Sequence, residues 1–177
     1  MKRLSLAVLM ILTVAALAFG GQKEVNKLMK YMRVTQDSSG SKRIYDESTP
    51  KRLHNNMCYI YLRQKDGKTL SRIVFGAQCE EGSTLEKVTV INTLQVDVPF
   101  MQYERHTDFT KNKMFHYLDV DGEYLQHVIW AILQEDKPRV EFTIKRYTGE
   151  RITYTFRISK KQLQAIDRVQ KLYGELI

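Results

Sequence analysis

After residue 20 this chain has no long apolar run, and it lacks the short motifs that mark common catalytic sites. There is no G-x-S-x-G for a serine nucleophile, no G-x-x-x-x-G-K-[ST] phosphate loop and no G-x-G-x-x-G dinucleotide turn. No repeat of fixed period is visible, which sets aside solenoids and propellers. Tryptophan occurs once and cysteine twice. Two cysteines alone cannot close a structural zinc site. Glycine is scarce, with 9 in 177 residues, whereas tyrosine reaches 10. That balance fits a sheet carrying packed aromatic pairs.

What is present begins with MKRLSLAVLMILTVAALAFG. Lys2 and Arg3 precede an apolar run from Leu6 to Ala18, broken only by Thr13, and small residues follow. This is the order of a secretory signal peptide, and the run is too short to stay comfortably as a bilayer-spanning helix. Residues 1–20 are expected to leave by a cut after Ala18 or Gly20. The product would be secreted or periplasmic, with no stable membrane span. No cysteine follows the run to carry a lipid anchor. Roughly 155 residues remain, the size of one domain. The formal net charge of +8 drops to about +6 with the loss of Lys2 and Arg3. Such a charge favours anionic partners, but the basic residues are spread along the chain rather than clustered.

Taken in order, Val25, Leu28, Met29 and Met32 mark one face of an amphipathic helix over 22–34. Residues 35–42, TQDSSGSK, read as a loop or linker, so 21–42 forms a helix and linker ahead of a single domain over 43–177. Pro50 argues against a central strand in the stretch that follows.

Asp66-Gly67 then predicts a two-residue hairpin turn, which sets Cys58 opposite Phe75, Tyr59 opposite Val74 and Ile60 opposite Ile73. Export makes Cys58 and Cys79 a candidate disulfide. In that register, however, Cys79 stands four positions beyond the partner of Cys58, about 13 Å along the strand. A disulfide wants Cα atoms within about 7 Å, so the bond needs a bend at Gly76.

A long strand is expected over Leu85–Val98, bent near Asn92 and ended by Pro99. Residues 100–113 read as irregular, with a short strand over 114–118. A helix is expected from Asp119 to Glu135, capped by Asp121, with Tyr124, Leu125, Val128, Ile129, Ile132 and Leu133 as its apolar stripe.

Near the C-terminus, RVEFTIKRY and RITYTFRI form a hairpin. A loop of Thr148-Gly149-Glu150 would place Ile144 opposite Tyr154, Phe142 opposite Phe156 and Glu141 opposite Arg157. Ser159 and Gln162 match a capping box for a last helix, the nearest cover for the apolar face of that hairpin. The fold class implied is α+β: an antiparallel sheet with an N-terminal, a middle and a C-terminal helix packed on it.

Candidate chemistry is sparse. Glu123, His127 and Trp130 follow i, i+4, i+7 spacing, which would place an acid–base pair beside a stacking platform. Lys145 and Arg157 are outward-facing basic residues of the last hairpin. His106 and His116 flank a polar loop but lack the ligand pattern of a zinc site, and Asp119-Val120-Asp121-Gly122-Glu123 has its glycine too early for a calcium loop. No metal or other cofactor is expected. The reading that results is an exported, non-enzymatic binding domain for an anionic polysaccharide or another exported protein, not for nucleic acid. The alternative is a polymer-degrading hydrolase or lyase that uses Glu123 and His127.

Overall fold

A computed structural model describes residues 21–177 except 53, 94 and 111. The expected signal peptide, residues 1–20, and Leu94 of the expected long strand lie outside the described residues. The architecture is α+β, with two antiparallel sheets and three helices. Among the described residues no helix is long and apolar enough to cross a membrane.

Helix α1 occupies 21–29 and is followed by strands β1 (Met32–Gln36) and β2 (Lys42–Asp46). The expected first helix therefore stops short. Met32, on its apolar stripe, is the first residue of a strand, and Tyr31 closes the preceding turn through its N–H to the Leu28 carbonyl. The polar stretch 35–42, expected as a loop, instead ends β1, turns over 37–41 and starts β2. Asp37 accepts there from the backbone N–H groups of Ser39 and Ser41, and Gly40 takes φ +80°. β2 is an interior strand, which corrects the expectation drawn from Pro50. That proline lies beyond the strand end, so it removes no ladder hydrogen bond.

β3 (Met57–Lys65) and β4 (Lys68–Cys79) pair in the expected register, with Asp66 at φ 51° and Gly67 at φ 75°, as a type I′ turn requires. β8 (Lys113–Asp121) pairs with β4, and β7 (Arg105–Thr110) pairs with β8. The larger sheet is ordered β1-β2-β3-β4-β8-β7. Residues 100–113 are thus more regular than expected. They hold a short 3₁₀ turn over Gln102–Glu104 and then the edge strand β7.

The smaller sheet is ordered β10-β9-β5-β6, from β5 (Thr84–Ile91), β6 (Gln95–Asp97), β9 (Arg139–Lys145) and β10 (Arg151–Arg157). The bend expected near Asn92 is a full reversal, because β6 folds back on β5 with Val96 opposite Val90. A bulge at Glu86 lets both Leu85 and Val88 face inward despite their unlike parity.

The β9–β10 register is displaced from the expected one. The three-residue loop is Tyr147-Thr148-Gly149, closed by the Arg146 N–H to the Glu150 carbonyl and by the Gly149 N–H to the Arg146 carbonyl. Gly149, at φ 88°, fills the left-handed third position of that loop. Phe142 therefore faces Tyr154 rather than Phe156, and Glu141 faces Thr155 rather than Arg157. Parity is unchanged, so the same residues face the core.

Helix α2 (Gln126–Leu133) is shorter than expected. Its cap position is Leu125, whereas Asp121 ends β8 and accepts from the Glu123 N–H in a tight turn. Tyr124, expected in the apolar stripe, is 81% exposed. Val128, Ile129 and Ile132 do pack inward.

Helix α3 (Lys160–Leu176) begins with the expected capping box. Ser159 Oγ accepts from the Gln162 N–H, and Gln162 Oε1 accepts from the Ser159 N–H. It lies chiefly across β3, with β2 and β4 beside it, rather than over the last hairpin. α2 packs against β5 and β6. One apolar cluster joins Ile60, Leu62, Ile73 and Phe75 of the larger sheet to Val88, Val140 and Phe142 of the smaller and to Ile166, Val169 and Leu172 of α3.

The candidate disulfide does not form: Cys58 and Cys79 are free thiols. β4 runs straight through Gly76 and pairs with β8 as far as Cys79 opposite Met114, so no bend returns Cys79 to Cys58.

Candidate functional site

The helices and the smaller sheet take up one face of the six-stranded sheet. The registers fix what the other face carries. Arg33, Tyr45, Tyr61 and Arg72 stand directly opposite one another across β1, β2, β3 and β4. Thr35, Arg43 and Arg63 form the adjoining row. Tyr59, Val74 and Asp119 form a row on the other side, and Gly76, Tyr117 and His106 the next. Cross-strand neighbours on one face pack against each other, and here they are rings. Tyr45 and Tyr61 stack at 5.1 Å between centroids, Tyr45 meets Tyr59 at 6.4 Å, and His106 stacks on Tyr117 at 5.0 Å.

The cations around Tyr45 have few anionic partners. The Arg33 guanidinium lies over the Tyr45 ring, 5.2 Å from its centroid, and donates to the Thr49 carbonyl at 3.2 Å. That bond holds the loop after β2 against the sheet. Arg63 donates to Ser41 Oγ at 3.1 Å. Arg43 and Arg63 are directly opposed, an arrangement of like charges that costs stability unless something anionic offsets it. Asp37 approaches Arg43 only to 3.9 Å, and Arg43 Nε is buried with no hydrogen-bond partner among the described residues. Hydrogen bonding to Tyr45 holds the Arg43 guanidinium above its already high ordinary range, so it stays charged. Arg33, Lys51, Arg52 and Arg63 make no ion pair among the described residues, and Glu47 at the end of β2 pairs with none of them.

Between β1, β2 and the loop after β2 opens a groove of about 440 Å³, walled by Arg33, Tyr45, Tyr59, Lys51 and Arg52, with Thr35 and Pro50 completing it. Burial pushes the Tyr59 phenol far above its ordinary value, so this wall is neutral at physiological pH. The groove offers guanidinium and ammonium donors beside flat ring surface. That set can bind carboxylate, sulfate or phosphate groups on a chain, with apolar contact between them. Among the described residues no pair of carboxylates and no imidazole lines it.

At the far side of this face, Asp119 accepts from Tyr61 Oη at 2.8 Å and from Arg72 Nε at 2.9 Å. That charge is neutralised within the sheet.

No family model matches this chain, and neither the curated proteins nor the solved structures yield a match.

The residues singled out in the sequence do not converge on this groove. Glu123 lies in the turn before α2 and accepts from the Tyr173 hydroxyl at 2.6 Å. Burial, with that hydrogen bond adding to it, pushes the Tyr173 phenol up to about 12. His127 and Trp130 sit on the exposed side of α2, Trp130 at 59% exposure, and His127 makes no ion pair with Glu123 among the described residues. Lys145 pairs with Arg151 at one end of the last hairpin, and Arg157 pairs with Arg139 at the other. Cys58 is buried, and burial pushes its thiol far above the usual range, which leaves it without nucleophilic character. Among the described residues no group of three or more His, Cys, Asp or Glu is placed to hold a metal ion.

The tyrosine–arginine face had one signal in the sequence. The Asp-Gly register puts Tyr59, Tyr61, Arg63, Arg72 and Val74 on one side of β3–β4. Without β2 recognised as a strand, that side had no neighbours to make it a surface.

Proposed function

We propose that this chain is an exported, non-enzymatic binding domain, and that it holds an anionic ligand in the groove beside Tyr45. The observation that supports this most directly is the set of unpaired cations, Arg33, Lys51 and Arg52, on the walls of an open groove that also presents Tyr45 and Tyr59. Outside the cell the ligands with matching charge are acidic polysaccharides and acidic segments of exported proteins. Guanidinium groups suit either, because they bind planar or tetrahedral oxyanions bidentately.

The test is calorimetric titration with heparin as a defined polyanion and with dextran as an uncharged control. Binding of heparin that weakens as salt rises, and no binding of dextran, is the expected result. Arg33→Ala and Arg52→Ala should each weaken heparin binding by about tenfold to a hundredfold, and the double variant by more, since a charge-assisted hydrogen bond contributes roughly 1.5–3 kcal/mol. Equal affinity of the double variant and the native chain would remove the groove from the proposal.

A further inference from the structure

The groove ends at an open sheet edge, and the backbone there is in position to pair. β1 has β2 as its only strand neighbour among the described residues. The Glu47 N–H donates to the Tyr31 carbonyl at 2.7 Å, and the Asp37 N–H donates to the Ser41 carbonyl at 3.0 Å. Both are hydrogen-bonded pairs in the register that sets Arg33 opposite Tyr45. Such pairs alternate along an antiparallel ladder. Arg33 and Thr35 therefore bond to β2, and Met32, Val34 and Gln36 turn their N–H and C=O groups outward.

Resting on the reading of the groove as an anion site, we infer that its ligand is an extended acidic polypeptide segment that adds to β1 as a seventh strand. Residues of the segment that stand opposite Arg33 and Thr35 fall on the groove side, within reach of Arg33, Lys51 and Arg52. Residues that stand opposite Met32, Val34 and Gln36 fall on the other side, where Val34 is 47% exposed and offers apolar surface. Acidic residues at every second position with apolar ones between them are the matching pattern. Strand addition of this kind takes affinity from main-chain hydrogen bonds and selectivity from alternate side chains. A polysaccharide would use the cations but neither the outward amides nor Val34.

The other sheet edges fit the role less well. β6 has three residues. β10 carries Arg151, but its guanidinium is already paired with Glu86 at 2.7 Å, unlike Arg33 on β1. β7 presents Asp108, which would repel an acidic strand.

The experiment uses an acetylated, amidated heptapeptide of alternating glutamate and valine, with a block-ordered peptide of the same composition as control. Heparin is titrated in parallel. The substitution Val34→Pro removes one outward N–H without touching the bonds from Arg33 and Thr35 to β2. The alternating peptide should bind the native chain at least tenfold more tightly than the block-ordered one and lose at least tenfold in affinity to Val34→Pro, while heparin binding stays unchanged. Methylating the peptide amides along one edge should weaken its binding to the native chain by a similar factor, which tests the same bonds without any protein variant. Equal affinity for the two peptides, or indifference to amide methylation, overturns the strand-addition inference. Heparin binding with no peptide binding also overturns it but leaves the groove as an anion site, whereas no binding of either probe removes both.

Discussion

His116 stands where the two sheets meet. It lies on the inner face of β8 and is 3% exposed. Its Nε2–H donates to the Ser83 carbonyl at 2.8 Å, and its Nδ1 lies 2.9 Å from Thr107 Oγ1, whose hydroxyl can donate to it, so both ring nitrogens of the neutral imidazole have partners. Burial holds the imidazole below its ordinary value. The Ser83 carbonyl pulls it back up, the nearby Arg105 pushes it further down, and burial prevails. A histidine depressed in the folded state stabilises the fold fully above its unfolded value near 6.5 and loses that contribution as the pH falls towards the folded value. The urea midpoint of the native chain should therefore drop between pH 7.5 and 5.5, and His116→Gln should flatten that stretch of the profile. A second residue-scale strain lies at Ser71. It is fully buried, and its Oγ has no hydrogen-bond partner among the described residues. A Cβ on Gly122 would come within 2.5 Å of that Oγ and 3.2 Å of the Ser71 carbonyl carbon. Gly122→Ala should cost about 1–3 kcal/mol, through overpacking against backbone that cannot move aside. Ser71→Ala should be neutral or stabilising by about 1 kcal/mol, since it removes an unsatisfied hydroxyl. Both follow from denaturant midpoints at constant m.

At the scale of the element, what could be read in the sequence depended on whether a local signal fixed the geometry. The Asp66-Gly67 turn admits one conformation, so the β3–β4 register followed from two residues. Ser159 and Gln162 likewise fix where α3 starts. Gly149 is equally telling, but only if it is placed third in its loop. Placed second, it shifts every pair of β9–β10 while leaving the parity intact, so the core face was legible and the pairing was not. Elements set by distant partners left weaker traces. β1 and β7 are exposed edge strands without clear alternation, and β2 is held by neighbours on both sides. The groove depends on all of this, since Arg33, Tyr45 and Tyr59 come from three strands and Lys51 and Arg52 from a loop. The capping box gives this scale its test. Ser159→Ala should cost about 1 kcal/mol and loosen the first turn of α3, because the Gln162 N–H loses its acceptor. Hydrogen exchange confined to that turn would show the loss to be local rather than global.

For the whole molecule, the compartment and the fold make separate statements about the thiols, and the fold is the more restrictive. Export would allow a disulfide between Cys58 and Cys79, but the straight course of β4 separates them by about four residues of strand rise, roughly 13 Å. Stability must then come from the shared core and from ties such as Arg168 to the buried Asp46, at 2.7 Å, which fastens α3 to β2. Burial pushes the Asp46 carboxyl up, but Arg168 and the hydrogen bonds from Ser48 outweigh it and hold the group below its ordinary value. With no covalent link in play, the thermal midpoint should be the same with and without reductant. The thiols should also be quiet in the folded chain. Cys58 is buried and its thiol stays protonated, while burial raises that of Cys79 to about 11. Alkylation at pH 7.5 should therefore label neither cysteine rapidly in the native state and both in urea, as counted by intact mass. A mass two hydrogens lower than the dithiol, with a midpoint that falls on reduction, would mean that β4 bends at Gly76 in solution and that the larger sheet is not continuous from β1 to β7.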